Sequence, residues 1–144
     1  MVMSTLNKYA GEIIVNFNPS ACTDITGFGL MGHCFEMAEG SDKTLVLYKD
    51  KIPYLKSARE YAELGLIPAG SYKNREYLEG KYSLEEVEPY LEDILFDPQT
   101  SGGLLFSIGA KEADSVMEEL SKLKIESSII GEVKARDSKF IIVK

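Results

Sequence analysis

The stretch ACTDITGFGLMGH (residues 21–33) decides the fold, because it places the carboxylate of Asp24 where a strand is predicted to end and a helix to begin. Glycines follow at positions 27, 29 and 32. Glycine is costly in chain entropy and is kept where φ must be positive or where another group approaches the backbone closely. The stretch therefore contains either a tight strand-to-helix turn or a turn that a ligand must approach.

Two interpretations of Asp24 follow from these residues. In the first, its carboxylate accepts hydrogen bonds within its own turn, as Asp side chains often do. In the second, it is an oxygen ligand for Mg²⁺, which usually takes one or two protein carboxylates together with substrate phosphates, and the glycine amides leave room for those phosphates. The stretch contains neither the P-loop pattern nor the dinucleotide-binding glycine pattern. The residues alone leave both interpretations open.

The spacing of apolar residues predicts the other elements. Helices are predicted over residues 6–17 after a Ser4 cap, 30–38 closed by Gly40, 54–62 closed by Gly65, and 110–123. Strands are predicted over residues 21–25, 44–49, 104–108, 127–133 and 139–144, the last two around a turn at 135–138. The polar, glycine-punctuated stretch 67–83 predicts a long connection, and the acidic residues at 85–92 predict a solvated helix face.

This order of elements indicates the fold class. Helices that alternate with or flank several strands are typical of a layered α/β (or α+β) domain, with a mixed β-sheet covered by helices. The chain has 144 residues, of which 44% are hydrophobic, and this is enough for one domain with its own core. We therefore expect a single domain over residues 1–144.

Charge and cysteine content exclude several classes of protein. The net charge is −7 and no basic cluster is present, so nucleic acid is not an expected partner. No apolar run approaches the roughly 20 residues of a membrane span, and residues 1–13 do not predict a secretory signal. Two cysteines and one histidine cannot supply a four-ligand zinc site. Cys22 and Cys34 are expected to be small buried side chains with reduced thiols in a cytoplasmic protein.

Other polar residues have competing interpretations. A hydrogen-bonded structural role is favoured over a catalytic one for His33, which flanks the second helical stripe. Asp97 begins either a turn that leads into a strand or a loop that faces a ligand. Lys73 and Asn74 are expected to be solvated in a surface turn.

Two glycine-rich stretches carry a family resemblance: ACTDITGFGLMGHCFEMA (21–38) and DPQTSGGLL (97–105), with PAGSYKNRE (68–76) between them and MSTLNKYAGEI (3–13) before them. Together they resemble the C-terminal domain of selenophosphate synthetase (selenide, water dikinase), in the superfamily that includes aminoimidazole ribonucleotide synthetase. The resemblance covers nearly the whole chain. Its string T-D-x-T-G-F-G-x-x-G-H is specific within that superfamily.

The resemblance implies a reaction and a set of site residues. ATP, selenide and water would give selenophosphate, AMP and orthophosphate. The matching position assigns Asp24 to binding of Mg²⁺ at the ATP phosphates. The cofactor-binding turn beside it would be formed by Thr23, Thr26, Gly27 and Gly29.

The resemblance also implies a cytoplasmic homodimer of two-domain subunits, whose N-terminal ATP-binding domain is absent from this chain. The nucleophilic Cys or selenocysteine and its partner Lys belong to that absent domain, and Cys22 does not match the nucleophile. The isolated chain is therefore expected to be inactive. Two alternatives stay open: a stand-alone, non-catalytic binding or regulatory domain of the same fold, or another ATP-dependent synthetase of the superfamily.

Overall fold

The helices and strands are given by a computed structural model that describes residues 4–123 and 125–144. Its helices are α1 (Lys8–Ile14), α2 (Gly29–Ser41), α3 (Lys56–Glu63), α4 (Ala69–Tyr77), α5 (Pro89–Leu95) and α6 (Ala113–Ser121), with 3₁₀ turns at Val15–Phe17 and Lys49–Lys51. Its strands are β1 (Ala21–Asp24), β2 (Lys43–Leu47), β3 (Tyr82–Leu84), β4 (Leu104–Ser107), β5 (Gly131–Ala135) and β6 (Ile141–Val143). Over the described ranges, every helix is too short or too polar to cross a membrane.

The strands form two sheets. β1 pairs antiparallel with β4 in a two-stranded sheet. The second sheet has the order β3-β6-β2-β5, with β2 parallel to β6, β6 parallel to β3, and β5 antiparallel to β2. The predicted α/β (α+β) fold with a mixed sheet covered by helices is confirmed, and a small separate sheet is added to it.

The main core lies between α2, α5 and the mixed sheet. Apolar residues at helical spacing give α2 one buried face: Met31, Cys34, Phe35 and Ala38. That face meets alternate residues of the two central strands, which point to the same side of the sheet: Leu45, Leu47, Ile141 and Val143. Helix α5 contributes Leu91 and Leu95 to this core, and Phe96, which directly follows α5, also lies in it.

A second, smaller cluster covers the two-stranded sheet. Ala10 and Ile14 of α1 pack with Val116 and Leu120 of α6, and the partly buried Leu104 and Phe106 of β4 lie against them. The sheet is thereby held between this cluster and the rest of the domain.

Several predicted helix ends are displaced: α6 covers Ala113–Ser121 rather than 110–123, and α3 covers Lys56–Glu63 rather than 54–62. Two end signals are also wrong. α1 begins at Lys8 rather than directly after Ser4. α2 continues past Gly40 to Ser41, and Asp42 closes it with a φ of 51°. Asp can adopt the left-handed conformation more easily than most residues because its short polar side chain forms local hydrogen bonds.

The prediction for residues 67–83 is also wrong, since this stretch forms α4 and β3 rather than a long connection. The last two strands are not hydrogen-bonded to each other, because β2 is inserted between them. Gly131 of β5 permits the close pairing of β5 with β2, since a Cβ atom at this position would lie 2.1 Å from the carbonyl oxygen of Val46 in β2.

Candidate functional site

The strand-to-helix turn lies where the sequence predicts it, between the end of β1 at Asp24 and the start of α2 at Gly29. Asp24 is exposed. Its carboxylate forms no hydrogen bond or ion pair with any described residue. The interpretation in which this carboxylate closes its own turn is therefore not what the structure shows, and the group is available to a ligand.

The second glycine-rich stretch runs beside this turn, because Asp24 is the register partner of Leu104 at the start of β4. Backbone hydrogen bonds join the two segments. The Gly102 N–H donates to the Ile25 carbonyl at 3.0 Å, and the Ile25 N–H donates to the Gly103 carbonyl at 2.9 Å. We call residues 24–29 the first loop and residues 97–103 the second loop.

One glycine in each loop is required by this packing. Gly29 has a φ of +70°, and a Cβ atom there would lie 2.9 Å from the Asp97 carbonyl oxygen. At Gly102, a Cβ atom would lie 2.6 Å from the Ile25 carbonyl oxygen. Both distances are too short for a real side chain, so these two glycines are explained by the fold.

Each loop contains a second glycine that this packing does not require, Gly27 in the first loop and Gly103 in the second loop. A Cβ atom at Gly27 or at Gly103 would have no atom of the described residues within 4 Å, and neither residue has a positive φ. Both residues are exposed. The N–H groups of Gly27 and Phe28 donate no hydrogen bond within the parts of the chain that the structure describes. The loops thus present open backbone and two free donors close in sequence to the Asp24 carboxylate.

His33 supports the first loop from inside the domain. Its side chain is buried, with 6% of the residue exposed. The Thr26 N–H donates to Nε2 at 3.1 Å, and Nδ1 lies 2.9 Å from a Glu36 carboxylate oxygen. Because Nε2 accepts, the network assigns the proton to Nδ1. This arrangement agrees with the structural interpretation of His33.

The two threonines of the predicted site have other surroundings. The Thr26 hydroxyl lies 3.1 Å from Nε2 of His33, so it is engaged within the protein. Thr23 is adjacent to Asp24 in β1, and adjacent side chains of a strand point to opposite faces. Asp24 and Gly27 are thus both exposed in the first loop, whereas Thr26 and Gly29 hold the turn in place.

Sequence reasoning missed Asn74, which is buried rather than solvated. Only 9% of the residue is exposed. Its Nδ2 donates to the Gly27 carbonyl at 2.9 Å and to the Phe96 carbonyl at 3.0 Å. Lys73, its neighbour, is exposed as predicted. No local signal separates the two residues, because a buried Asn in a helix looks like a solvated one until its partners are known.

Comparison with known proteins extends this picture. The family described as AIR synthase related protein, C-terminal domain, matches residues 4–144. This chain belongs to that family. Similar curated proteins are named selenide, water dikinase: one from Caldanaerobacter subterraneus subsp. tengcongensis is 47% identical over 144 residues, one from Clostridium botulinum is 43% identical over 144, and one from Treponema denticola is 42% identical over 147. Each match covers 99% of this chain and 42% of the relative, so the chain spans less than half the length of these relatives.

The two thiols of this AIR synthase related domain differ in their surroundings. Cys34 is fully buried in the main core, and burial raises its pKa to about 12. Cys22 is exposed on β1, so the prediction that it is buried is wrong. Partial burial, and secondly the negative charge of Asp24, raise the pKa of the Cys22 thiol. Neither cysteine is activated as a nucleophile, since a reactive thiol needs a lowered pKa.

The acidic groups of the domain do not gather into a complete metal site. Within residues 4–123 and 125–144, no three His, Cys, Asp or Glu side chains are placed to hold one ion together. Burial raises the pKa of Asp97 in the second loop. Among the described residues, Asp24 is therefore not part of a three-ligand cluster, and any hard cation bound there would need further oxygen ligands from a substrate or another domain.

Proposed function

We propose that this chain is the C-terminal domain of a selenide, water dikinase, in which Asp24 is a Mg²⁺ ligand at the ATP phosphates. The observation that carries the proposal is the exposed Asp24 carboxylate, which has no partner among the described residues, in the same loop as Gly27, a glycine that neither the packing nor the backbone conformation requires. The names of the similar curated proteins supply the reaction class.

The proposed role of each group follows from its chemistry. Mg²⁺ would neutralise phosphate charge during phosphoryl transfer, which otherwise consists mainly of positioning. Asp24 supplies an oxygen ligand of the type that this ion prefers. The N–H groups of Gly27 and Phe28 are donors suited to phosphate oxygens, and a glycine at position 27 lets an anion approach the backbone. The exposed Gly103 keeps the neighbouring loop equally open.

The rest of the site would come from the N-terminal domain that the longer relatives imply. That domain would bind ATP, form the homodimer, and carry the nucleophile that attacks in the conversion of ATP, selenide and water to selenophosphate, AMP and orthophosphate. The enzyme would be cytoplasmic.

The proposed activity is tested in a full-length protein, made by joining this chain to the N-terminal part of the Caldanaerobacter relative. AMP formation that depends on selenide supports the proposal. A folded full-length protein that forms no AMP with selenide would contradict it.

A Gly27→Ala substitution separates ligand approach from folding. Because a Cβ atom at this position has free space, we expect the free energy of unfolding to change by no more than about 0.5 kcal/mol. In the full-length protein the new methyl group would obstruct the phosphates, and we expect the KM for MgATP to rise about tenfold or more. Urea unfolding and steady-state kinetics measure the two effects, and an unchanged KM would remove Gly27 from the nucleotide site.

The isolated chain is expected to bind no MgATP at sub-millimolar concentrations and to have no ATP turnover. It offers one matched carboxylate, and its net charge of −7 disfavours a nucleotide polyanion. Titration calorimetry of the 144-residue chain with MgATP measures this directly. A saturable sub-millimolar isotherm would show that the nucleotide site lies within this chain.

A further inference from the structure

The carboxamide of Asn74 lies between the two loops. Helix α4 approaches the second loop closely, since a Cβ atom at Gly70 would lie 2.8 Å from the ring of Pro98. Asn74 follows Gly70 by four residues, so both lie on the same face of the helix. α4 therefore places the Asn74 side chain at the contact between the loops.

Both hydrogens of the Asn74 amide group have partners. One carbonyl is that of Gly27 in the first loop, at 2.9 Å, and the other is that of Phe96, directly before the second loop, at 3.0 Å. Since both partners are acceptors, they fix which end of the carboxamide is the nitrogen. A buried, bidentate donor of this kind connects the Gly27 peptide of the first loop to the residue that directly precedes the second loop.

The hydrogen bond from Asn74 completes a pattern along the first loop. The carbonyls of three successive residues accept hydrogen bonds from outside the loop: Ile25 from Gly102 N–H, Thr26 from Gln99 N–H at 3.1 Å, and Gly27 from Asn74. With these carbonyls held, the Gly27 and Phe28 N–H groups of the turn are left without a hydrogen-bond acceptor among the described residues. The peptide of Gly27 is the only one of the three whose carbonyl is held by a side chain rather than by the backbone of the second loop.

We infer that Asn74 is a positioning residue, which fixes the Gly27 peptide against the second loop and thereby sets how the first loop presents its free N–H groups and the Asp24 carboxylate. The inference rests on the proposed function for its consequence in catalysis. Its structural part, that the carboxamide locks the two loops together, stands on the contacts alone.

Amide hydrogen exchange on the 144-residue chain tests the structural part. In Asn74→Ala, we expect the Ile25, Gln99 and Gly102 amides to exchange at least about tenfold faster, because both hydrogen bonds that the Asn74 side chain donates are lost. The amides of β2 and β5 should be unchanged. Ser71→Ala is the matched control. Ser71 is buried on the same helix, and its hydroxyl has no hydrogen-bond partner among the described residues, so its removal should leave loop exchange unchanged.

Two exchange results and one unfolding result would overturn the inference. The first is unchanged loop exchange in Asn74→Ala. The second is acceleration of all slow amides together, which would mean that Asn74 contributes only to overall stability. The third is the loss of cooperative unfolding in this variant, which would make Asn74 a folding requirement rather than a local lock.

Kinetics of the full-length protein tests the catalytic part. Asn74→Ala should raise the Mg²⁺ concentration for half-maximal activity about fivefold or more, with kcat at saturating Mg²⁺ within about twofold of the wild type. Leu120→Ala destabilises the distant α1–α6 cluster and should not change the Mg²⁺ dependence. An unshifted Mg²⁺ dependence in Asn74→Ala overturns the positioning role.

Failure of the proposed function gives a different result. In that case the unsubstituted full-length protein makes no AMP with selenide, and the exchange data still decide whether Asn74 locks the loops.

Discussion

Selenide-dependent AMP formation by the full-length protein is expected to fall by at least about 100-fold when Asp24 is replaced by Asn. The substitution keeps the size of the side chain but removes the negative charge that a hard cation needs. Since the Asp24 carboxylate has no partner among the described residues, the fold loses no interaction. The free energy of unfolding should therefore stay within about 0.5 kcal/mol of the wild type.

A matched control makes this result specific to the site. Asp50→Asn removes the same charge from another exposed acid, in the 3₁₀ turn after β2, and should leave the activity unchanged. Initial rates are compared at saturating and at limiting Mg²⁺ concentrations. A rate for Asp24→Asn near that of the wild type at limiting Mg²⁺ would contradict the role of Asp24 as a metal ligand.

The turn around Asp24 could be predicted because its signals are local. A short strand, a carboxylate and closely spaced glycines are contiguous in the sequence, and α2 follows with apolar residues at helical spacing. The fold class follows from the order of such segments.

Helix α4 could not be predicted in this way. The two buried residues of α4, Ser71 and Asn74, are both polar, so its sequence lacks the apolar periodicity by which a helix is recognised. Asn74 is buried because the carbonyls of Gly27 and Phe96 accept its hydrogen bonds, and these residues lie 47 and 22 positions away in the chain. The missed residue and the missed helix thus have the same physical cause, a polar contact formed only in the folded state.

The pairing of the last strands is non-local for a related reason. β5 and β6 are joined by a short segment that is typical of a hairpin, yet both pair with β2, which lies far earlier in the chain. Sequence patterns predict that a strand exists but carry little information on its neighbour. The glycine that permits the close β2–β5 approach, Gly131, is recognisable as such only once Val46 is known to lie opposite.

Gly29→Ala is expected to lower the free energy of unfolding by about 2–5 kcal/mol, a large part of the stability of a domain of this size. Two costs add. An Ala side chain at a φ of +70° costs roughly 1–2 kcal/mol, and its Cβ would lie 2.9–3.1 Å from backbone atoms of Asp97 and Phe96, which cannot move as a flexible side chain could.

Urea unfolding of Gly29→Ala beside Gly27→Ala measures the difference on the same chain. The two substitutions add the same methyl group two residues apart in one loop, and only one of them meets the second loop. Equal stability of the two variants would mean that the loops are not packed together as described. A large loss at Gly29 with none at Gly27 would divide the glycines of the turn into one kept for folding and one that folding does not need. An activity loss in Gly27→Ala would then have to come from the ligand rather than from the fold.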